Sequence, residues 1–156
     1  MRYYAGIGSR ESPFDIQLMM YDLGAKLGNK YCLRSGNAIG ADVSFENGCD
    51  SVNGFKEIFV QKDCTEKAEE YSSKFHPAWY KCNFGTRKKH GRNAMIILGR
   101  NLDSPVERVI CWCIEEDGKY SGGTGQGIRI AKANNIPVYN LYIEQVRIKF
   151  EKFIYG

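Results

Sequence analysis

Three glycine-bearing segments of the chain have the composition of an anion cradle: Gly8-Ser9-Arg10, Ser35-Gly36-Asn37-Ala38-Ile39-Gly40-Ala41-Asp42 and Ser121-Gly122-Gly123-Thr124-Gly125-Gln126. Each stands where a hydrophobic run with strand character gives way to helical spacing. A strand-to-helix junction presents unpaired backbone N–H groups and the positive end of a helix dipole, and glycine lets an anion approach them. Phosphate is the expected guest. One such loop is weak evidence, because G-x-G patterns arise by chance, but three in one small chain point to a pocket of nucleotide type.

The side chains around these segments suit the same guest. Arg10 follows the first turn, Arg34 precedes the second, and Arg92-Asn93 stands at a predicted helix start; a guanidinium offers a planar fork of donors to phosphate oxygens. Asp42 and Glu46 lie four apart on one helical face, where they could bind a ribose or act as acid and base. Each feature also has a plain structural reading: glycine for a turn with positive φ, carboxylates complementing a helix dipole, arginines as solvated charge. The third segment lacks the Gly-Lys-Ser/Thr end of a P-loop and the spacing of a dinucleotide fingerprint, which argues against ATP hydrolysis and NAD redox chemistry. His90 reads as a helix-start hydrogen bonder or a proton carrier, and His76, before a proline among aromatics, as structural.

The elements that must position these groups alternate strand and helix. Strands are predicted over 3–7, 31–34, 55–60, 108–113 and 137–142. Helices are predicted over 14–27, with Phe14, Leu18, Tyr21 and Ala25 in helical spacing, and over 41–50, 65–75, 93–98, 125–133 and 144–153. Residues 76–80 break the pattern and read as a rim or lid. The run 108–113 is almost continuously apolar, as the centre of a sheet covered on both faces requires. The expectation is one domain over 1–156, α/β, a doubly wound and mainly parallel sheet with helices on both faces and all three glycine segments at its C-terminal edge.

Composition narrows the class. Forty-three percent of the 156 residues are hydrophobic, which excludes disorder, and the net charge of +4 is compatible with a phosphorylated ligand or a nucleic acid without demanding either. Of the six cysteines none forms C-x-x-C; Cys111 and Cys113 share one face of a strand and read as apolar filler. The opening residues read as a strand rather than a signal peptide, so the thiols are expected to be reduced and the protein cytoplasmic, with no membrane partner, no metal and no cofactor.

The ordered set Ala5-Gly6-Ile7-Gly8-Ser9-Arg10, Leu33-Arg34 with the second segment, Arg92-Asn93, and the third segment resembles the Rossmann-like domain of the DprA/Smf DNA-processing family and, more broadly, the SLOG superfamily with its LOG-type nucleotide phosphoribohydrolases. The single-domain form is similar to small DprA-like proteins of bacteriophages. The resemblance implies a pocket for nucleotides or nucleotide-derived ligands, with Gly8, Ser9, Arg10, Ser35, Gly36, Asn37, Gly40, Ala41, Asp42, Arg92, Asn93, Gly122, Gly123, Thr124, Gly125 and Gln126 around it. Asn37 stands where a second glycine is usual. In the LOG pattern a catalytic glutamate follows Gly-Gly-x-Gly-Thr; here Gln126 replaces the threonine and Arg129 the acid, so Glu46 or Asp42 would have to supply it.

The leading expectation is therefore a binding module for a phosphorylated nucleotide or derivative, used in a phage to sense or sequester a host signal. Two alternatives stand beside it: a nucleoside 5′-monophosphate N-glycosidase using Glu46 or Asp42, and a single-stranded DNA binder using Arg87, Lys88, Lys89 and Arg92 with Trp79, Tyr80 and Phe84. Relatives that pair through helices make a homodimer or higher homo-oligomer the expected assembly.

Overall fold

The computed structural model describes residues 1–156 and contains a five-stranded parallel sheet in the order β3-β2-β1-β4-β7. The strands are β1 (Tyr3–Gly8), β2 (Cys32–Ser35), β3 (Lys56–Ile58), β4 (Val109–Trp112) and β7 (Val138–Asn140). A separate antiparallel hairpin, β5 (Glu115–Glu116) and β6 (Lys119–Tyr120), follows β4. The helices are α1 (Phe14–Leu27), α2 (Ala41–Ser51), α3 (Glu66–Ser73), α4 (Phe84–Leu98), α5 (Gly122–Ala133) and α6 (Glu144–Tyr155). This is the expected doubly wound α/β architecture.

Alternation along β1 divides the core in two. Tyr4 points with Leu33, Ile110 and Trp112 into a cluster completed by Ile16, Met20 and Leu23 of α1 and Phe45 of α2. Ala5 and Ile7 point the other way, with Val109 and Cys111, into a cluster completed by Met95, Ile96 and Ile97 of α4 and Ile128 of α5. Both faces of β1 and β4 are thus covered, which explains their unbroken apolar sequences. Phe45 is fully buried; truncation to alanine should cost about 3–5 kcal/mol.

Local signals set the helix ends. Pro13 fixes φ at −59° just before α1, and Asn83 caps α4 by accepting a hydrogen bond from the Thr86 N–H at 2.8 Å. That cap starts α4 nine residues before the predicted position, so the basic run 87–92 is helical. In α1 the buried stripe is Ile16, Met19, Met20, Leu23 and Leu27, whereas Phe14, Leu18 and Tyr21 are exposed. The helix carries apolar residues on two faces, and the covered one packs on Tyr4, Leu33 and Ile110 of the sheet and Phe45 of α2. No helix is long and apolar enough to cross a membrane.

The chain visits β1, β2 and β3 in one direction and then returns to place β4 on the other side of β1. The loops leaving β1 and β4 therefore diverge, opening a crevice at the C-terminal edge of the sheet.

Candidate functional site

A cleft of about 490 Å³ occupies that crevice. Of the residues expected at the site, Gly8, Ser9, Arg10, Asp42, Arg92, Asn93, Gly122, Gly123 and Thr124 line it. The three glycine segments thus come together, each contributing from a different strand-to-helix junction.

The α5 end is the part best fitted to an anion. Gly122 opens the helix at φ 70°, a conformation costly for any residue with a Cβ. The N–H groups of Gly122, Gly123 and Thr124 donate to no protein acceptor; the first bond of the helix runs from Gly125 N to Ser121 O at 3.2 Å. The Ser121 hydroxyl makes no capping bond. Three free N–H groups at the positive end of a twelve-residue helix face the cleft, with cations across from them.

Those cations are Arg10, Lys89 and Arg92. Arg10 and Lys89 are exposed and enter no ion pair. Lys89 was not among the expected site residues, but it lies three positions before Arg92 and four before Asn93, on one face of α4. Arg92 is more constrained. Its Nη1 donates to Gly36 O at 3.0 Å and Phe59 O at 3.1 Å, and its Nε donates to Asn93 Oδ1 at 2.9 Å, leaving Nη2 without a protein partner. Asn93 in turn donates through Nδ2 to Gly123 O at 3.0 Å. Arg92 and Asn93 therefore tie the second loop, the end of β3 and the start of α5 into one frame.

Opposite Arg92 stands Asp42, whose Oδ2 accepts from Gly36 N at 3.1 Å and Ala38 N at 3.4 Å. Burial pushes its carboxyl up to about 6, against the pull of the Arg92 charge and of the N–H groups of Ala38, Gly36 and Gly8. Glu46, one turn further along α2, is pushed up to about 7 by burial and then by the Asp42 charge, and its Oε2 is buried without a partner. Asp42 reaches the cleft wall; Glu46 does not.

The other expected residues serve the frame rather than the cleft. The Ser35 hydroxyl is fully buried and donates to Gly6 O at 2.6 Å. Gly36, Gly40 and Ala41 shape the turn behind Asp42, and Asn37 takes φ 57°, the left-handed conformation that asparagine tolerates better than most residues. Gly125 lies against the Tyr120 backbone. Gln126 is completely buried: its Nε2 donates to Ser72 O at 2.7 Å and Ser72 Oγ at 2.8 Å, and its Oε1 accepts from Arg129 Nη2 at 2.8 Å. Arg129 also donates to Phe75 O and Tyr120 O, so it is a structural clamp. Arg34, 2% exposed, pairs with Glu57 at 2.7 Å and is likewise structural.

The basic surface anticipated from composition is also rearranged. Lys88 pairs with Glu69 at 3.0 Å, and Arg87 donates to Trp79 O at 3.1 Å, so of that basic run only Lys89 and Arg92 line the cleft. His90 sits inside α4 rather than at its start, and burial lowers it to about 4. His76, Cys82 and His90 bring one potential metal-ligating atom each within 4.8 Å of one another. However, His76 Nδ1 accepts from Ala78 N at 3.0 Å, which puts the neutral ring's proton on Nε2, the atom facing Cys82 Sγ at 3.8 Å. That nitrogen could ligate only by giving up the Ala78 bond. The six cysteines are all unpaired, and Cys111 and Cys113 are buried in the core as filler.

Comparison of the chain with protein-family models, with curated proteins and with solved structures returned no match.

Proposed function

We propose that the cleft binds a nucleotide or nucleotide-derived ligand through its phosphate, as the DprA/SLOG resemblance suggests. The observation that carries this reading is the start of α5: three N–H groups without acceptors, facing Arg10, Lys89 and the free Nη2 of Arg92. The phosphate sits on residues 122–124, and the remainder of the ligand extends toward Asp42, whose carboxyl can accept from a sugar hydroxyl. The cleft volume, about 490 Å³, falls in the range of small-molecule sites.

Calorimetric titration of a nucleoside and its 5′-monophosphate tests the reading. The monophosphate should bind and the nucleoside should bind at least about a hundredfold more weakly, because a charge-assisted phosphate contact contributes several kcal/mol. Equal binding of the two rejects it.

A second reading rests on Asp42, a carboxyl at the wall of the cleft that burial pushes up to about 6. Such a group can activate water or stabilise a developing ribosyl cation, the task of a nucleotide N-glycosidase. Chromatography of the same incubations for released base separates hydrolysis from simple binding. Loss of any such release in Asp42→Asn, with monophosphate binding retained, assigns the step to Asp42.

A further inference from the structure

A second cavity, of about 370 Å³, lies at the opposite edge of the sheet, between the starts of β1 and β4, β7, the end of α1 and helix α6. Four cations line it, Lys26, Lys30, Arg108 and Lys149, and no carboxylate does. None of the four enters an ion pair with the protein. The walls are aromatic: Tyr31, Tyr139, Phe150 and Phe153, with Arg108 5.9 Å from the Tyr31 ring centre and Lys149 6.0 Å from that of Tyr139.

Two residues of this lining each carry a buried polar atom without a protein partner. One is the hydroxyl of Tyr4, a residue only 1% exposed, and the other is Nε of Arg108. Buried donors without acceptors are destabilising, and folded proteins seldom leave them so. Here both residues line a cavity whose fixed charge has one sign. An acceptor-rich anion satisfies both donors and relieves the mutual repulsion of the cations, while an apolar ring fills the space against Tyr139 and Phe150.

We propose that this cavity is a second ligand site, taking a small aromatic anion, a ring system bearing a carboxylate or a phosphate. The acid group is held by Arg108 and the Tyr4 hydroxyl within the lysine ring. The volume admits a ring system and its acid group. The site is independent of the glycine-rich cleft, from which it is separated by the length of β1 and β4.

The test uses three probes on the full chain: naphthalene-2-carboxylate, 2-naphthyl phosphate and the neutral 2-naphthalenemethanol, by calorimetry and by amide ¹H–¹⁵N spectra. At least one anion should bind about tenfold or more tightly than the alcohol, with shifts at residues 4, 31, 108 and 139, and the stronger of the two identifies the acid group. Tyr4→Phe should weaken that binding at least about threefold while leaving the melting temperature unchanged or higher, since it removes an unsatisfied buried hydroxyl. Lys149→Ser, at an exposed position, should weaken it without unfolding the protein. Lys89→Met, which weakens binding in the cleft and spares stability, should leave it intact, which separates the two sites. The proposal is overturned if neither anion binds at millimolar concentration, if the alcohol binds equally, if only residues 122–124 respond, or if sedimentation shows a second copy of the chain covering this face.

Discussion

Asp42 and Arg92 meet across a single residue: Gly36 donates its N–H to Asp42 Oδ2 at 3.1 Å and offers its carbonyl to Arg92 Nη1 at 3.0 Å. One peptide segment therefore orients the carboxyl and the guanidinium of the cleft together. A Cβ on Gly36 would come within 2.7 Å of Arg92 Nη1 and 2.9 Å of Asp42 Oδ2. Gly36→Ala should displace both side chains, lower stability by about 1–3 kcal/mol and abolish monophosphate binding. Urea unfolding and calorimetry of the variant check the two effects.

Lys89 and Arg92 line the same cleft but should respond differently to substitution. Arg92→Met removes the donor to three protein acceptors and the countercharge to buried Asp42, so a stability loss of about 2–4 kcal/mol is expected along with weaker binding. Lys89→Met should leave stability within about 0.5 kcal/mol, because the side chain is exposed and unpaired, yet weaken monophosphate binding in a salt-dependent way. Titrations at low and high salt distinguish the two roles.

The raised carboxyl of Asp42 makes a signed prediction. The folded protein binds this proton more tightly than the unfolded chain does, so the ionised form destabilises the fold above the folded pKa of about 6, and the penalty fades as pH falls toward the unfolded value near 4. Two pKa units correspond to roughly 3 kcal/mol. Asp42→Asn should therefore gain stability relative to the parent as pH rises from 4 to 8. His90 works in the opposite sense, since its lowered pKa makes the fold lose stability on acidification below about 6.5. Comparing urea midpoints of parent and variant at both ends of the range isolates the Asp42 contribution.

Gln126 should matter for folding and not for the ligand. Gln126→Leu removes the side-chain donor to Ser72 O and Oγ and leaves Arg129 Nη2 without an acceptor inside the protein, a loss of about 1–3 kcal/mol. Monophosphate affinity should be unchanged in the folded variant. A weakened affinity with unaltered stability would instead place Gln126 in the site.

The sheet was legible because its strands are short apolar runs separated by helical spacing, and the crevice followed from topology. Boundaries failed where glycine and charge mask helix. Gly122, Gly123 and Gly125 disguise the first turn of α5, and the basic run 87–92 reads as a loop until Asn83 is recognised as a cap. The late start assigned to α4 also hid the helical phase that turns Lys89 toward the cleft. The β5–β6 hairpin had a signal, Asp117-Gly118, both at positive φ, but two-residue strands are too short to show alternation. Ser35 and Gln126 could not be separated from ligand-facing neighbours, because only packing decides which way a residue at a strand or helix end points.

The amide signals of Gly122, Gly123 and Thr124 test the central claim most directly. Titration of a nucleoside 5′-monophosphate into ¹⁵N-labelled protein should move these three signals together, saturably, with the largest shifts in the spectrum and with the same midpoint that calorimetry gives. If the three amides stay in place while the ligand binds, the phosphate is held elsewhere and the account of the cleft fails.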